Sequence, residues 1–151
     1  MEITLNPIAQ VTNSRLEPTD DNWGNTISEI TLLSHIPTEA FDHLEDFSHL
    51  EIIYYFDQVK KEDIVFSGHS RGNRAYPKMG IFGQRKKDRP NQLGLCTVEL
   101  IGHSARSIQV KFLDAMNGTP ILDIKPVFNE FKPKVETRQP AWVSDLMKNY
   151  W

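Results

Sequence analysis

Hydrophobic and polar residues alternate along several short stretches of this chain, and this repeat of two predicts strands rather than helices. Ile108, Val110 and Phe112 alternate with polar residues, and the preceding stretch Leu93–Gly102 is joined to them by a polar turn. Together they predict a β-hairpin. Leu50–Phe56 is almost continuously apolar, which predicts a central strand covered on both faces. Further strands are predicted at Ile3–Val11, Ile27–Leu33, Ile64–Phe66, Met79–Phe82 and Ile121–Lys125.

Two short helices complete the predicted elements. Thr38 can cap a helix of two turns in which Phe41, Leu44 and Phe47 share one face. Pro140 suits the first turn of a C-terminal helix at about 140–151, which we expect to dock on its own domain, although it could also cover a partner subunit. Short strands that do not alternate with long helices predict an all-β fold, a small β-barrel carrying these helices. We expect residues 1–151 to form a single domain.

Composition narrows the class of protein further. The chain is 39% hydrophobic and 25% charged, as in ordinary water-soluble domains. It opens without a basic and then apolar leader and has no run long enough for a bilayer, so we expect a cytoplasmic protein. Cys96 is the only cysteine and lies in an apolar run. This predicts a buried thiol rather than a disulfide or a nucleophile.

Charge is distributed unevenly, and the segment Gly68–Cys96 is basic on an acidic chain. It holds seven lysines and arginines but one acid, whereas the whole chain has a net charge of -3. Glycines and prolines interrupt the segment, so its cations are expected on turns and short strands. Such loops can surround a phosphate-bearing ligand. An ordinary charged surface explains the composition equally well.

Common chemical motifs are missing from the sequence. No dinucleotide-binding G-x-G-x-x-G and no Walker loop is found, and the five histidines lack metal-ligand spacing, so no metal site is predicted. In GQRKKDRPNQLG, Arg85 and Arg89 flank an enforced turn and could present planar donors to phosphate or carboxylate. In FLDAMNGTPILDIKP, Asp114 and Asn117 surround one turn, although Asn117–Gly118 also suits a plain hairpin.

Four stretches in order carry a family resemblance. They are FSHLEIIYYFDQ at Phe47–Gln58, GNR at Gly72–Arg74, Arg85 followed by RPNQLG, and LDAMNGTPILDIKP at Leu113–Pro126. Over about Ile8–Phe128 the chain resembles the TsaA-like family, the S-adenosylmethionine-dependent tRNA adenosine N6-methyltransferases called TrmO. The resemblance implies a small β-barrel and a homodimer with the cofactor near the subunit interface. It also implies tRNA as the partner, with N6-methylation of threonylcarbamoyl-adenosine beside the anticodon, at position 37.

The resemblance also assigns site residues. S-adenosylmethionine contacts are expected at Asp57, Gln58, Arg85, Leu95, Asp114, Ala115, Met116 and Asn117, with a further loop around Asp21–Gly24. The RNA backbone is expected to meet Arg71, Arg74, Lys78, Lys86, Lys87 and Arg89, and Tyr76 is a candidate for stacking on a base. No residue is assigned as a general base, so the catalytic residue stays unknown.

The chain departs from the family pattern beside this expected site. Lys86–Asp88 replaces the usual serine and proline before RPN, Gln92 replaces a proline, and Asn117 replaces an aspartate. Two alternatives therefore stand beside a tRNA methyltransferase. One is a methyltransferase of the same fold with another acceptor, and the other is an RNA-binding barrel without catalysis.

Overall fold

The computed structural model describes residues 1–151 and has a closed barrel of six antiparallel strands. Around the barrel the order is β1-β2-β7-β6-β3-β8, which confirms the predicted all-β barrel. The strands are β1 Ala9–Thr12, β2 Ile27–Leu32, β3 His49–Tyr55, β6 Leu93–His103, β7 Ser107–Lys111 and β8 Pro120–Pro126. A separate two-stranded sheet pairs β4 Ser67–His69 with β5 Lys78–Gly80, and α1 spans Ala141–Leu146.

Alternate residues of each barrel strand point into one core of fifteen buried side chains. In β3, Leu50 and Ile52 are fully buried and Tyr54 is 2% exposed, whereas the residues between them are half-buried. The prediction that both faces of this strand are covered is therefore wrong. β3 is bonded along both edges, by β6 and β8, while its outward residues from Glu51 to Tyr55 stay partly exposed.

The predicted β6–β7 hairpin is confirmed, and other strand boundaries shift. β1 spans only Ala9–Thr12, with backbone bonds extending to Ile8, and the exposed Ile3 lies outside the strand. Ile64–Phe66 is not a strand; the pairing falls on the following residues of β4. Likewise Met79–Phe82 gives only the end of β5 and a 3₁₀ turn at Ile81–Gly83.

Both predicted helices are shorter than expected. The helix after β2 is two 3₁₀ turns, Thr38–Phe41 and Leu44–Asp46, because His43 between them adopts a left-handed conformation with φ of 62°. Thr38 does not cap it, since Pro37 holds that position. The last helix ends at Leu146 and continues as turns to Tyr150. None of the helices has the length and apolar character needed to span a bilayer.

One end of the barrel collects three connections between its strands. Because neighbouring strands are antiparallel, the connections 13–26, 56–92 and 112–119 all leave the barrel at the same end. We call this end the strand-end site. The barrel is closed beside it by the β1–β8 seam, where only Ala9↔Ile121 and Gln10↔Pro120 are paired.

Candidate functional site at one end of the barrel

Asp114 is held at the strand-end site by two tyrosines from distant parts of the chain. Tyr54 donates a hydrogen bond to Asp114 Oδ1 and Tyr150 donates one to Oδ2, each at 2.6 Å. The chain turns towards this position at Phe112, whose φ of 64° is unusual for a bulky residue. Such strained backbone often accompanies functional sites. The carboxylate is thus fixed in orientation from both sides.

Cys96 and Arg85 lie near the same carboxylate. Burial and the negative charge of Asp114 raise the pKa of the Cys96 thiol, and that thiol donates to the Phe112 carbonyl at 2.8 Å. The predicted burial of the thiol is confirmed, since Cys96 is 5% exposed. The positive charge of Arg85 partly offsets this effect, because it lowers the pKa of both Cys96 and Tyr150. Arg85 therefore lies beside this cluster.

Arg85 and Leu95 are brought together by a direct contact. The guanidinium of Arg85 donates to the Leu95 carbonyl. Arg85 is exposed and pairs with no acid, so its remaining N–H groups are free. The Leu95 side chain is 47% exposed on the outer wall of the barrel, on the side opposite the inward Cys96.

The segment 115–117 is tied to the end of β1. Asn13 donates from its side chain to the Ala115 carbonyl at 2.8 Å and from its backbone to Asn117 Oδ1 at 3.1 Å. Ala115 is buried in the core and Met116 is half-buried. Ala115 therefore offers little surface to a ligand, and the Asn117 side chain already has a structural bond.

Asp57 and Gln58 lie on the exposed turn that follows β3. Their side chains make no hydrogen bond, but Gln92 fixes the turn by donating to the carbonyls of Phe56 and Val59 at 2.9 and 2.7 Å. Gln92 has a φ of 51°, which a proline ring cannot adopt. The turn is thus shaped by an amide side chain where the family pattern has a proline.

The loop around Asp21–Gly24 joins the strand-end site through the last residues of the chain. Backbone bonds of 2.9 and 2.7 Å run from Asn22 and Trp23 to the carbonyls of Asn149 and Tyr150. An added Cβ at Gly24 would lie 2.6 Å from the Trp151 backbone, so glycine is needed for this approach. Residues 141–151 therefore dock on their own chain, as predicted.

The six predicted RNA-binding cations divide into two groups. In the first group, Arg71 donates two hydrogen bonds to the Asp21 carboxylate, at 2.7 and 3.1 Å. Lys86 forms an ion pair with Asp88 at 3.3 Å, and Arg89 donates to the Gln84 carbonyl. The remaining three are exposed and form no ion pair: Arg74, Lys78 and Lys87. The prediction made no such distinction, because the acids that pair Arg71 lie fifty residues away.

Tyr76, the candidate for stacking on a base, makes two contacts with the C-terminal helix. Its hydroxyl donates to Asp145 Oδ2 at 2.7 Å, and its ring lies 5.9 Å from that of Trp142. The exposed aromatic residues on this side of the chain are Phe66 and Phe82, at 73% and 81% exposure. They are adjacent, since the Ile81 amide donates to the Phe66 carbonyl.

One concave region away from the strand-end site fits polar ligands poorly. A groove of about 280 Å³ at the other end of the barrel is lined by eight residues, seven of them hydrophobic. Its only carboxylate, Asp123, already pairs with Lys125. No group of three histidine, cysteine, aspartate or glutamate side chains is arranged to hold a metal ion.

Sequence reasoning missed four residues that build the strand-end site: Tyr54, Gln92, Gly94 and Tyr150. Tyr54 and Gly94 occur inside motifs already singled out, where they read as ordinary strand residues. For Tyr150 the sequence predicted only a position on the apolar face of the C-terminal helix. Its contact with Asp114 depends on how the chain returns to the barrel.

Alkaline pH is expected to destabilise the fold through this cluster. Burial, and then the charge of Asp114, raise the pKa of both Tyr54 and Tyr150, and burial does the same for Cys96. Below about pH 9 these groups are protonated in both the folded and the unfolded chain. Above about pH 9 the unfolded chain releases protons that the folded chain retains. The free energy of unfolding should fall by up to about 1.4 kcal/mol per pH unit for each group.

Denaturant titrations between pH 8 and 11 measure this decline. Tyr150→Phe removes one titrating group and should make the decline shallower. A free energy of unfolding that stays constant over this range would contradict the expectation.

The chain is similar to a known family and to proteins of archaea and humans. The family model described as "tRNA-methyltransferase O N-terminal domain" matches residues 11–132. A "Probable S-adenosyl-L-methionine-binding protein" of Methanothermobacter thermautotrophicus is 34% identical over 134 residues, 86% of this chain and 93% of that protein. The human "tRNA (adenine(37)-N6)-methyltransferase" is 30% identical over 120 residues, which are 75% of this chain and 25% of that protein.

A solved structure is similar over nearly the whole chain. The crystal structure of TrmO from Pseudomonas aeruginosa superposes with a TM-score of 0.74 at 25% identity. The match covers 91% of this chain but 61% of that one. The chain therefore spans about three fifths of the solved structure that it matches.

Proposed function

Because this chain belongs to the tRNA-methyltransferase O family, we propose that it is an S-adenosylmethionine-dependent methyltransferase acting on N6 of adenine 37 in tRNA. One observation carries the proposal. Two family-like stretches that are distant in sequence, Phe47–Gln58 and Leu113–Pro126, meet at the strand-end site through the Tyr54–Asp114 hydrogen bond. Residues 1–151 would act as one domain, with the cofactor and the RNA bound at the same end.

The donors and acceptors at the strand-end site fit the cofactor. Asp114 uses two of its roughly four acceptor positions on the tyrosines, so it can still accept bonds from a ribose hydroxyl or ammonium group. Arg85 has free N–H groups and no acidic partner, which suits a carboxylate. The rings of Phe112 and Trp151, 5.8 Å apart, offer apolar surface for a base. Asp57 and Gln58 are exposed and unbonded at the rim.

When bound, S-adenosylmethionine supplies an activated methyl group on a positively charged sulfur. The residues of this chain would act by holding the acceptor nitrogen in line behind that methyl group, since positioning alone contributes much of a transfer reaction. Asp114 would bind S-adenosylmethionine and hold its methyl group in position. The free cations of the basic segment would hold the RNA side.

Three cations are the best candidates for RNA contacts within the predicted set. Arg74, Lys78 and Lys87 are unpaired, so binding a phosphate would break no internal bond. Arg71, Lys86 and Arg89 would each have to share or give up a present partner. The exposed rings of Phe66 and Phe82 provide faces on which unpaired bases can stack.

Lys87→Ala is expected to weaken tRNA binding and its salt dependence. Loss of one phosphate contact should lower the slope of log affinity against log salt by about 0.7 to 0.9. Filter binding between 50 and 200 mM salt measures the slope. Lys125→Ala is the matched control, because Lys125 is exposed but pairs with Asp123 far from the strand-end site. Equal slopes for Lys87→Ala and the unmodified protein would contradict the assignment.

A homodimer is part of the proposal. Ile53 and Leu95 are paired neighbours on β3 and β6, as are Tyr55 and Leu93, and together they form an apolar strip on the outer barrel wall beside Arg85. Covering this strip with a second copy would place the cofactor near the interface, as the family resemblance implies. Light scattering should then give twice the mass of one chain.

A tRNA substrate would place the protein in the cytoplasm.

Two measurements test the proposed function. Calorimetric titration should detect S-adenosylmethionine binding, and its absence would leave the RNA-binding barrel without catalysis as the better explanation. Labelled methyl transfer to tRNAs with and without threonylcarbamoyl on adenosine 37 then identifies the acceptor. We propose the threonylcarbamoylated tRNA first. The replacements at Lys86–Asp88 and Asn117 make another acceptor the alternative.

A further inference from the structure

We propose that Tyr150 is a positioning residue of the strand-end site, which fixes the Asp114 carboxylate in the orientation that binds the cofactor. This inference rests on the proposed function. Tyr150 lies beyond residues 11–132, the part of the chain that matches the family model. The contribution would therefore belong to the segment 141–151.

The hydroxyl of Tyr150 controls one half of the carboxylate. Asp114 has no basic partner, and its two oxygens are held by tyrosines on opposite sides, Tyr54 at Oδ1 and Tyr150 at Oδ2. With one tyrosine alone, the carboxylate could rotate about its last bond. With both, its remaining lone pairs point in fixed directions, which lowers the entropy lost when a ligand binds.

Tyr150 is itself fixed by the backbone of the loop around Asp21–Gly24. Its carbonyl accepts from the Trp23 amide at 2.7 Å, and Trp23 is 4% exposed. Tyr150 thus contacts two loops at this end of the barrel: its carbonyl contacts the loop 13–26 and its hydroxyl contacts the loop 112–119. The α1 helix is anchored separately, by the Tyr76 hydroxyl on Asp145.

The neighbouring Trp151 indicates that this segment borders the site rather than fills it. Its ring is edge-on to Tyr150 at 4.9 Å and to Phe112 at 5.8 Å, yet the residue is 51% exposed. A side chain that occupied the cofactor's place would be expected to bury its ring. An exposed aromatic face beside a fixed carboxylate instead suits a wall of an open site.

Tyr150→Phe and Tyr76→Phe form a matched pair of variants. Each removes one hydroxyl that donates to a carboxylate, at 2.6 and 2.7 Å, and each leaves the ring in place. Tyr150→Phe should weaken binding of S-adenosylmethionine about fivefold or more in calorimetric titration, as expected for one lost bond to a charged group. Tyr76→Phe should change it by less than about twofold, because it loosens the helix without touching Asp114.

The outcomes separate the explanations. Equal weakening by both variants would show that Tyr150 only anchors the helix, and unchanged or tighter binding by Tyr150→Phe would show that the segment is irrelevant or blocks the site. Either result overturns this inference while the proposed function stands. A folded, unmodified protein that binds no S-adenosylmethionine would overturn both.

Discussion

Asparagine in place of Asp114 is expected to weaken S-adenosylmethionine binding by about ten- to a hundredfold, the equivalent of roughly 1.5–3 kcal/mol for a hydrogen bond to a charged group. The substitution keeps the size of the side chain and one carbonyl oxygen. It removes the negative charge, and its amide group must face the hydroxyl of Tyr54 or Tyr150, both of which now donate. The affinity is measured by calorimetric titration.

Asp123→Asn is the matched control for this substitution. Asp123 belongs to the same family-like stretch, but its carboxylate pairs with Lys125 and lines the apolar groove at the other end of the barrel. Its replacement should leave cofactor affinity within about twofold, as expected for a distant and independent site. Wild-type affinity in Asp114→Asn would remove Asp114 from the binding site.

Alanine in place of Gly94 is expected to damage both the barrel and the site. An added Cβ would lie 2.3 Å from the ring of Tyr54, which is its partner across β3 and β6. The ring is 2% exposed and has no space into which to move, so overpacking should cost about 1–3 kcal/mol of stability. Any movement of the ring also breaks its bond to Asp114, and cofactor affinity should fall with stability.

Gly80→Ala is the control for Gly94→Ala, since an added Cβ at Gly80 meets no atom within 4 Å. Urea denaturation gives the change in stability of both variants. Tyr54→Phe, which keeps the ring and loses only the hydroxyl, separates the loss of the Asp114 bond from the effect of overpacking. Gly94→Ala with unchanged stability would show that the Tyr54 ring is not confined by β6.

The barrel could be predicted where the pattern of side chains is local. β7 alternates strictly, β6 alternates from Leu93 to Val98, and a polar turn joins the strands, so the hairpin and the buried Cys96 follow from neighbouring residues. The two-turn helix after β2 could not be predicted correctly. The spacing of Phe41 and Leu44 suits a helix, but His43 adopts a left-handed conformation that interrupts it.

The site could be predicted only in part, for a different reason. The family-like motifs identify Asp114 and Arg85, but they do not indicate what holds these side chains. Tyr150 is 36 residues from Asp114, and Asp21 is 50 residues from Arg71. Which carboxylate is oriented and which arginine is already paired depends on long-range contacts that no local repeat encodes.

The narrow β1–β8 seam links the site to the integrity of the barrel. Two residue pairs join these strands, together with backbone bonds from the amides of Ile8, Val11 and Gly118 to the carbonyls of Ile121, Thr119 and Val11. Local opening in proteins begins where few backbone bonds must break. The loop that carries Asp114 forms one side of this joint, so a ligand that holds the loop also holds the ring of strands closed. Occupancy at Asp114 and resistance of the seam amides to solvent exchange should therefore rise together.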